Sequence, residues 1–478
     1  MKRILYVLIV VALVFDTSYS FLQFYNTPFD GDMAGGIVPA DHVLPVLNNP
    51  LGLKILNSDI TYANPNRFFS HWSFYKYFNY VPQFFSGFTD PISAAYLSCA
   101  IAKIVIQVGI IFLMAVYVCG FFNSRKFYFI LACFLIAPFF QANGYRSYMG
   151  IIDHSTTYTF FYALPILFLL LYFVPFFLIH FHNRELKFLN FIRILWLPLG
   201  LISSLSGPLN SGIALIVCFL LFFKKIFVSE DQGFDLKGLS NRVANLPKDY
   251  FYFLVPISMF SFYSLFLGSF NSINQEFSIG LTDLYSRLPL GLFNQFFQKP
   301  GFPILFLVLI LNALLIHFKF KSVEGEKILR LFKWIGFFSI IYVLLLPLGG
   351  YRDYRPNILR YDTILPLTIA LIFVFAKTII YLFNKMTDTK QKYWFSPIVL
   401  LIICVFSFAD KPEFDSNDCE RNALIKISNA QESIVKIDSN CTVLSWELLI
   451  KPEDSELNSE LLVMWGITKE KRRYYNIE

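Results

Sequence analysis

Residues 156 to 179 read TTYTFFYALPILFLLLYFVPFFLI, a run with no charged side chain. At 1.5 Å per residue, a helix of about 20 such residues crosses the roughly 30 Å hydrocarbon layer of a bilayer. Working outward from this run, comparable apolar stretches lie at 4–24, 97–122, 127–142, 188–205, 210–228, 250–269, 302–318, 331–348, 363–384 and 394–410. The pair 188–205 and 210–228 is the least separated, because Ser206-Gly207-Pro208-Leu209-Asn210 leaves almost no loop between them; a break within one re-entrant segment is the alternative. Composition agrees with this pattern: 56% of the 478 residues are hydrophobic and 15% charged, too little polar surface to clothe a water-soluble globule. The expected fold class is an all-α polytopic membrane protein of about eleven transmembrane helices.

The charge distribution orients these helices. With the N-terminus inside, the inner segments are Lys2-Arg3, Arg125-Lys126, Arg184 to Lys187, Lys224 to Lys248, Lys319 to Lys333 and Lys385 to Lys392, all of them basic. The net charge of +7 is therefore read as topology, with no nucleic-acid partner. The expected location is the bacterial inner membrane, with the N-terminus cytoplasmic and the C-terminus periplasmic. Met1 to Ser20 also resembles a signal peptide, with Ser18-Tyr19-Ser20 as a small-residue cleavage site.

Two outer segments are long. Residues 25–96 contain Arg67-Phe68-Phe69-Ser70-His71-Trp72-Ser73-Phe74-Tyr75-Lys76-Tyr77-Phe78, whose aromatic density suits an amphipathic helix in the headgroup layer. Residues 411–478 read as a small soluble α/β periplasmic domain following a transmembrane domain at 1–410. Within it, Leu424, Ile427, Ile434 and Ile437 give helical spacing across Glu420 to Ile437, and Cys441 to Leu448 reads as a strand. A Cys419–Cys441 disulfide would help hold so small a core; two free thiols are the alternative. The other five cysteines fall within apolar runs and read as small hydrophobes. No Gly-rich phosphate loop is present, so a nucleotide-hydrolysing engine is not encoded.

Three outer segments carry candidate chemistry. After the first apolar run comes Asp30-Gly31-Asp32, where two carboxylates flank a glycine that lets the chain turn sharply. They are candidates to hold a divalent cation such as Mg or Mn, or to supply a general base; a solvated turn is the bland reading. Residues 143–155 crowd Arg146, Asp153 and His154 into one short loop. His154 is a candidate general acid or headgroup contact, against the alternative of a cap on the next helix. Residues 349–362 place Arg352, Arg355 and Arg360 beside Asp362 on the side where basic residues are normally scarce. A guanidinium fork suits an anionic diphosphate headgroup, while Arg–Asp pairing, Arg360 with Asp362 among them, is the structural alternative.

The collective pattern matters most: acidic, histidine and arginine clusters from separate parts of the chain emerge on one face. Outside the cytoplasmic membrane there is no nucleotide-sugar, so a transferase there must draw on a lipid-carried donor. In this respect the chain resembles the GT-C superfamily of integral-membrane glycosyltransferases, through Asp30-Gly31-Asp32, the long amphipathic first outer loop, the multi-span body and the soluble outer tail. The resemblance implies a polyprenyl-phosphate sugar donor, a glycan or glycolipid acceptor, and a first span retained as an uncleaved anchor. It further implies that Asp30 or Asp32 is the catalytic acid residue, with Arg146, Arg352, Arg355 and Arg360 as phosphate contacts. Asp153 and Asp362 are added to the substrate-binding set, and His154 to the catalytic set, on local chemistry.

Rival readings are a lipid-linked glycan flippase or transporter, an O-antigen polymerase or ligase, and a non-catalytic assembly protein. A transporter should carry charge within its spans near the midplane, and these hold little; Lys103 and Lys377 are exceptions expected to snorkel to an interface.

Overall fold

A computed structural model describes residues 2–58, 60–121, 126–141, 146–185, 189–228, 236–276, 279–350, 358–438 and 440–476. Arg352 and Arg355 lie outside these residues, and so does the side chain of Arg146. Among the described residues, nine helices are long and apolar enough to cross a membrane: Arg3–Tyr25, Pro91–Cys119, Thr156–His180, Pro208–Phe227, Tyr250–Ser269, Gly301–Lys319, Val323–Gly349, Leu365–Lys385 and Thr389–Phe408. Two shorter apolar helices, Phe127–Phe140 and Ile194–Ser204, coincide with the third and fifth runs of the sequence. The protein is an all-α polytopic membrane protein, with one two-stranded sheet among the described residues.

Burial ranks the helices. Leu365–Lys385 and Pro91–Cys119 are the most enclosed, whereas Arg3–Tyr25 and Thr389–Phe408 leave most of their apolar surface bare, as helices that face lipid should. Lys103 does not snorkel: it is fully buried, and its Nζ donates to the carbonyl of His154. Lys377 likewise donates to the Val118 carbonyl at 2.7 Å. Each ammonium is thus satisfied by backbone inside the protein, which offsets the cost of its desolvation.

Helices Leu189–Ser204 and Pro208–Phe227 are separate, joined by a sharp turn. Asn210 Nδ2 closes this turn by donating to the carbonyls of Ser203 and Pro165. Gly207 at its apex has φ +142°, a backbone region that side chains rarely adopt.

The first and last spans meet through polar side chains. Asp410, at the end of Thr389–Phe408, accepts from Tyr19 Oη at 2.6 Å and from Gln23 Nε2 at 2.5 Å. Asn417 Nδ2 then donates to the Tyr25 carbonyl. These bonds bring the chain leaving the last span back over the exit of the first, and so fix where the tail sits.

The tail differs in detail from its sequence pattern. The helix runs only from Asp418 to Asn429, and Ile434–Ile437 is a strand paired parallel to Arg473–Asn476. Ile434 and Ile437 do not share a helical face: Val435 and Ile437 point inward while Ile434 is exposed, the period-two alternation of a strand. Residues 441–448 form no strand. Cys419 and Cys441 are joined in a disulfide, their Cα atoms 5.9 Å apart.

Nor is the tail's core its own. Leu424, Ile427, Leu461, Leu462, Trp465 and Tyr474 share one apolar cluster with Phe29, Met33, Phe74, Phe78 and Tyr96. Trp465 is fully buried against Phe29 and Phe78, and its indole N–H donates to the Phe78 carbonyl at 3.1 Å. Helix Phe68–Phe85 therefore buries one face, Ser70, His71, Phe74 and Phe78, in protein rather than in headgroups, and exposes Trp72, Tyr80 and Phe84 on the other.

Candidate functional site

The candidate residues that the structure describes gather at one end of the bundle, around the start of helix Thr156–His180. Asp30 is buried there. Its Oδ2 accepts from the Thr157 backbone N–H at 3.0 Å and its Oδ1 from Thr157 Oγ1 at 2.7 Å, so its charge lies at a helix N-terminus. Burial nevertheless raises its pKa above the ordinary carboxylate value. Asp30 Oδ1 also accepts from the Asp32 N–H at 3.2 Å, which closes the turn. Asp32 itself is exposed and does not cap the short helix Met33–Ile37. The two carboxylates thus divide: one is structural mortar between the first loop and a span, the other an open acceptor.

This division bears on the Mg or Mn ion expected between them. Both oxygens of Asp30 are bonded to Thr157, and among the described residues no three His, Cys, Asp or Glu side chains are arranged to hold a metal. Asp30 is therefore committed to holding Thr157, and Asp32 is the open oxygen ligand of the pair.

Asp153 is buried as well. It accepts from the Ser155 N–H at 2.8 Å and from Tyr361 Oη at 2.5 Å, which ties the loop before helix Thr156–His180 to the loop before helix Leu365–Lys385. Arg360 pairs with Asp362, as the structural alternative anticipated; Asp362 is buried and Arg360 a quarter exposed. Their pairing holds the Arg360 pKa above its ordinary value. His154 is half-buried and meets Lys103 through its carbonyl. Ser155, not His154, caps the helix, accepting from the Tyr158 N–H at 3.1 Å.

A narrow cleft, open on one side and with an internal volume of only about 10 Å³, lies beside these groups; it is lined by Arg67, Phe161, Tyr162, Asp362 and the turn from Ser206 to Asn210. Arg67 stands 5.8 Å from the centroids of both Phe161 and Tyr162, and among the described residues no carboxylate pairs with it. The uncapped N-terminus of helix Pro208–Phe227 opens on the same cleft, so both are ready for an anion. His71 is buried behind Phe161, with neither ring nitrogen hydrogen-bonded among the described residues. Burial, with the nearby charge of Arg67, lowers its pKa to about 3 and keeps it neutral. Sequence reading treated Arg67 and His71 as parts of an amphipathic face, and only the fold separates them from it.

From the cleft an aromatic row runs toward the acidic turn. Tyr162 lies 6.0 Å from Tyr158, and Tyr158 lies 5.9 Å from Trp446 of the tail. Trp446 sits directly on Gly31: a Cβ there would fall 2.5 Å from the Trp446 backbone nitrogen and 2.6 Å from its ring Cδ1. Replacing Gly31 with Ala is therefore expected to lift the 443–449 segment away, at a cost of roughly 1–3 kcal/mol. Protease sensitivity of the tail and the thermal midpoint measure that cost, and unchanged values would show that the segment is not seated there.

Glu420 anchors the tail from inside. It is buried and accepts from the Phe29 N–H at 2.8 Å, the Leu444 N–H at 3.0 Å and Tyr96 Oη at 2.6 Å. Arg421, beside it, lies over the rings of Tyr96 and Tyr25. Desolvation pushes the Glu420 pKa up to about 7; its three hydrogen bonds oppose the rise and nearby Asp30 adds to it. A carboxyl raised in the folded state favours folding when protonated. Its contribution is complete below the ordinary value of 4.5 and is lost as pH climbs to about 7. Tail protection measured by hydrogen exchange should consequently be stronger at pH 5 than at pH 8, by about 3 kcal/mol. Glu420→Gln should flatten this dependence, and a wild-type profile without slope would contradict the burial argument.

No protein-family model matches the chain, and no curated protein matches it. Among solved structures, it is similar to the apo crystal structure of the oligosaccharyltransferase of Archaeoglobus fulgidus, with a TM-score of 0.40 and 13% identity. The match covers 89% of this chain and 58% of that one, so the chain spans little more than half the length of the archaeal enzyme.

Proposed function

We propose that the protein is a membrane glycosyltransferase that moves a sugar from a polyprenyl-phosphate-linked donor to a glycan or glycolipid acceptor, on the periplasmic side, in assembly of a cell-surface glycan. The observation that carries this reading is the joining of two chemistries at one end of the bundle. An open carboxylate, Asp32, stands on one side, and on the other a cleft with a guanidinium that no carboxylate pairs among the described residues and a helix N-terminus without a side-chain cap. The basic loops at the opposite end support the periplasmic placement.

In this reading the donor phosphate lies in the cleft against Arg67 and the helix N-terminus at Pro208. Asp32 takes the proton of the acceptor hydroxyl as its oxygen bonds to the anomeric carbon. The bond from that carbon to the phosphate oxygen breaks, and polyprenyl phosphate leaves carrying the electron pair. Arg67 meets the charge that develops on the leaving oxygen, where fixed donors in a dry site act most strongly. Asp30 holds the turn that presents Asp32, and Asp153 with Tyr361 holds the two loops flanking the cleft. Arg146, Arg352 and Arg355 are proposed as further phosphate contacts, and the Arg360–Asp362 pair as a wall of the same site.

A test compares membranes from cells with and without the protein, pulse-labelled in lipid-linked sugar. The reading requires label to pass from the lipid fraction to the envelope glycan only when the protein is present. Equal passage in both would refute it.

A further inference from the structure

We infer that Trp446 and Tyr158, with Asp32 beside them, form a carbohydrate subsite that receives the acceptor, so that the group accepting the transferred sugar is a pyranoside hydroxyl. This inference rests on the transferase reading for its chemistry, but its binding claim can be tested separately.

The argument begins with exposure. Trp446 is 54% exposed although it lies in the well-packed tail, between the buried Val443-Leu444 pair and the half-buried Leu448 and Leu449. Such a side chain usually marks a lipid anchor or a ligand platform. Its neighbours argue against lipid. Glu447 and Asp32 are both exposed carboxylates, which anionic headgroups repel, and Trp446 is held over Gly31.

The geometry fits a sugar. The rings of Trp446 and Tyr158 lie 5.9 Å apart with their planes inclined by 33°, a shallow trough with two electron-rich faces. The axial C–H groups on one side of a pyranose are weakly positive and apolar, and they stack on such faces, while the equatorial hydroxyls at the rim need charged acceptors. Asp32 follows Gly31 directly, so an exposed carboxylate lies one residue from the backbone that touches the indole, within the neighbourhood where a stacked sugar presents hydroxyls. The absence of a Cβ at Gly31 is what allows this approach. Tyr162, next along the row, also lines the cleft and faces Arg67, so the aromatic row connects the Trp446 platform with the proposed donor phosphate site.

Saturation-transfer NMR on the full-length protein in nanodiscs reads this binding without turnover. The probes are methyl β-glucopyranoside, methyl α-mannopyranoside and methyl β-N-acetylglucosaminide, with an uncharged tetrapeptide lacking aromatic residues as the other arm. The expected result is saturation of the ring C–H protons of at least one pyranoside, reduced at least five-fold in Trp446→Ala and largely kept in Trp446→Phe. Cleavage-free tail in limited proteolysis confirms that each variant retains its fold. No saturation of any pyranoside, saturation unchanged in Trp446→Ala, or saturation of the peptide alone would each overturn the inference. Pyranoside binding that depends on Trp446 in a protein that transfers no sugar would uphold this site and defeat the transferase reading instead.

Discussion

Asp32→Asn is expected to abolish sugar transfer while leaving the thermal midpoint unchanged, whereas Asp30→Asn is expected to lower the thermal midpoint and to reduce transfer only as far as the turn that presents Asp32 is loosened. Asp32 is exposed and holds no helix end, so replacing it removes a proton acceptor and little packing. Loss of a general base costs about 10²- to 10⁴-fold in rate. Asp30 instead meets both the N–H and the hydroxyl of Thr157 from within the protein. An amide there presents one donor to a donor, at a cost of about 1–3 kcal/mol for a buried group left unsatisfied. Initial transfer rates in membranes matched for protein content, alongside thermal unfolding of each variant, separate the two effects. An inactive but fully stable Asp30→Asn, paired with an active Asp32→Asn, would exchange the roles assigned to these residues.

Arg67→Ala is expected to lower kcat/KM for the lipid-linked donor by roughly 10- to 100-fold, through a higher KM from the lost ground-state contact together with a lower kcat, the worth of a hydrogen bond to a charged group in a partly dry site. Arg67 faces the cleft without a carboxylate partner among the described residues, so its removal leaves no protein group newly unpaired. Arg67→Lys keeps the charge but not the planar fork, and should recover only part of the loss. Saturation curves against donor concentration in detergent provide the measurement. A kcat/KM equal to wild type would move the phosphate out of this cleft.

The membrane body was legible because its signal is dense. Each span commits about 20 consecutive residues to one physical requirement, and the runs in the sequence coincide with helices that the structure forms, down to the short pair around Ser206 to Asn210. Asp153 and Asp362 stand out in the sequence as charged residues in short loops between spans, and in the structure each is buried on a protein partner, Tyr361 and Arg360; the substrate contact expected of them is a proposal. Arg67 was hidden in plain view, as one polar residue in an aromatic stretch that reads as an amphipathic face. Glu420 and Trp446 could not be seen, because what makes them matter is contact with Phe29 and Gly31 from the far end of the chain. The tail misled for a different reason. Ile434 and Ile437 are spaced as on a helix, but a four-residue strand satisfies the same two positions, and pairing with Arg473–Asn476 decides between them. Amphipathic helix Phe68–Phe85 was placed against lipid because sequence shows that a face is apolar, not what covers it.

The central claim is that this protein transfers a sugar from a lipid carrier rather than moving the carrier across the bilayer. Reconstitution of the purified protein in liposomes with labelled lipid-linked sugar extracted from bacterial membranes, together with an envelope glycan extract, tests it directly. The account predicts that label leaves the organic-soluble phase for the glycan, and that Asp32→Asn stops this without affecting assembly into the liposomes. Label that stays on the lipid while becoming accessible from the opposite leaflet would contradict the account and identify a flippase.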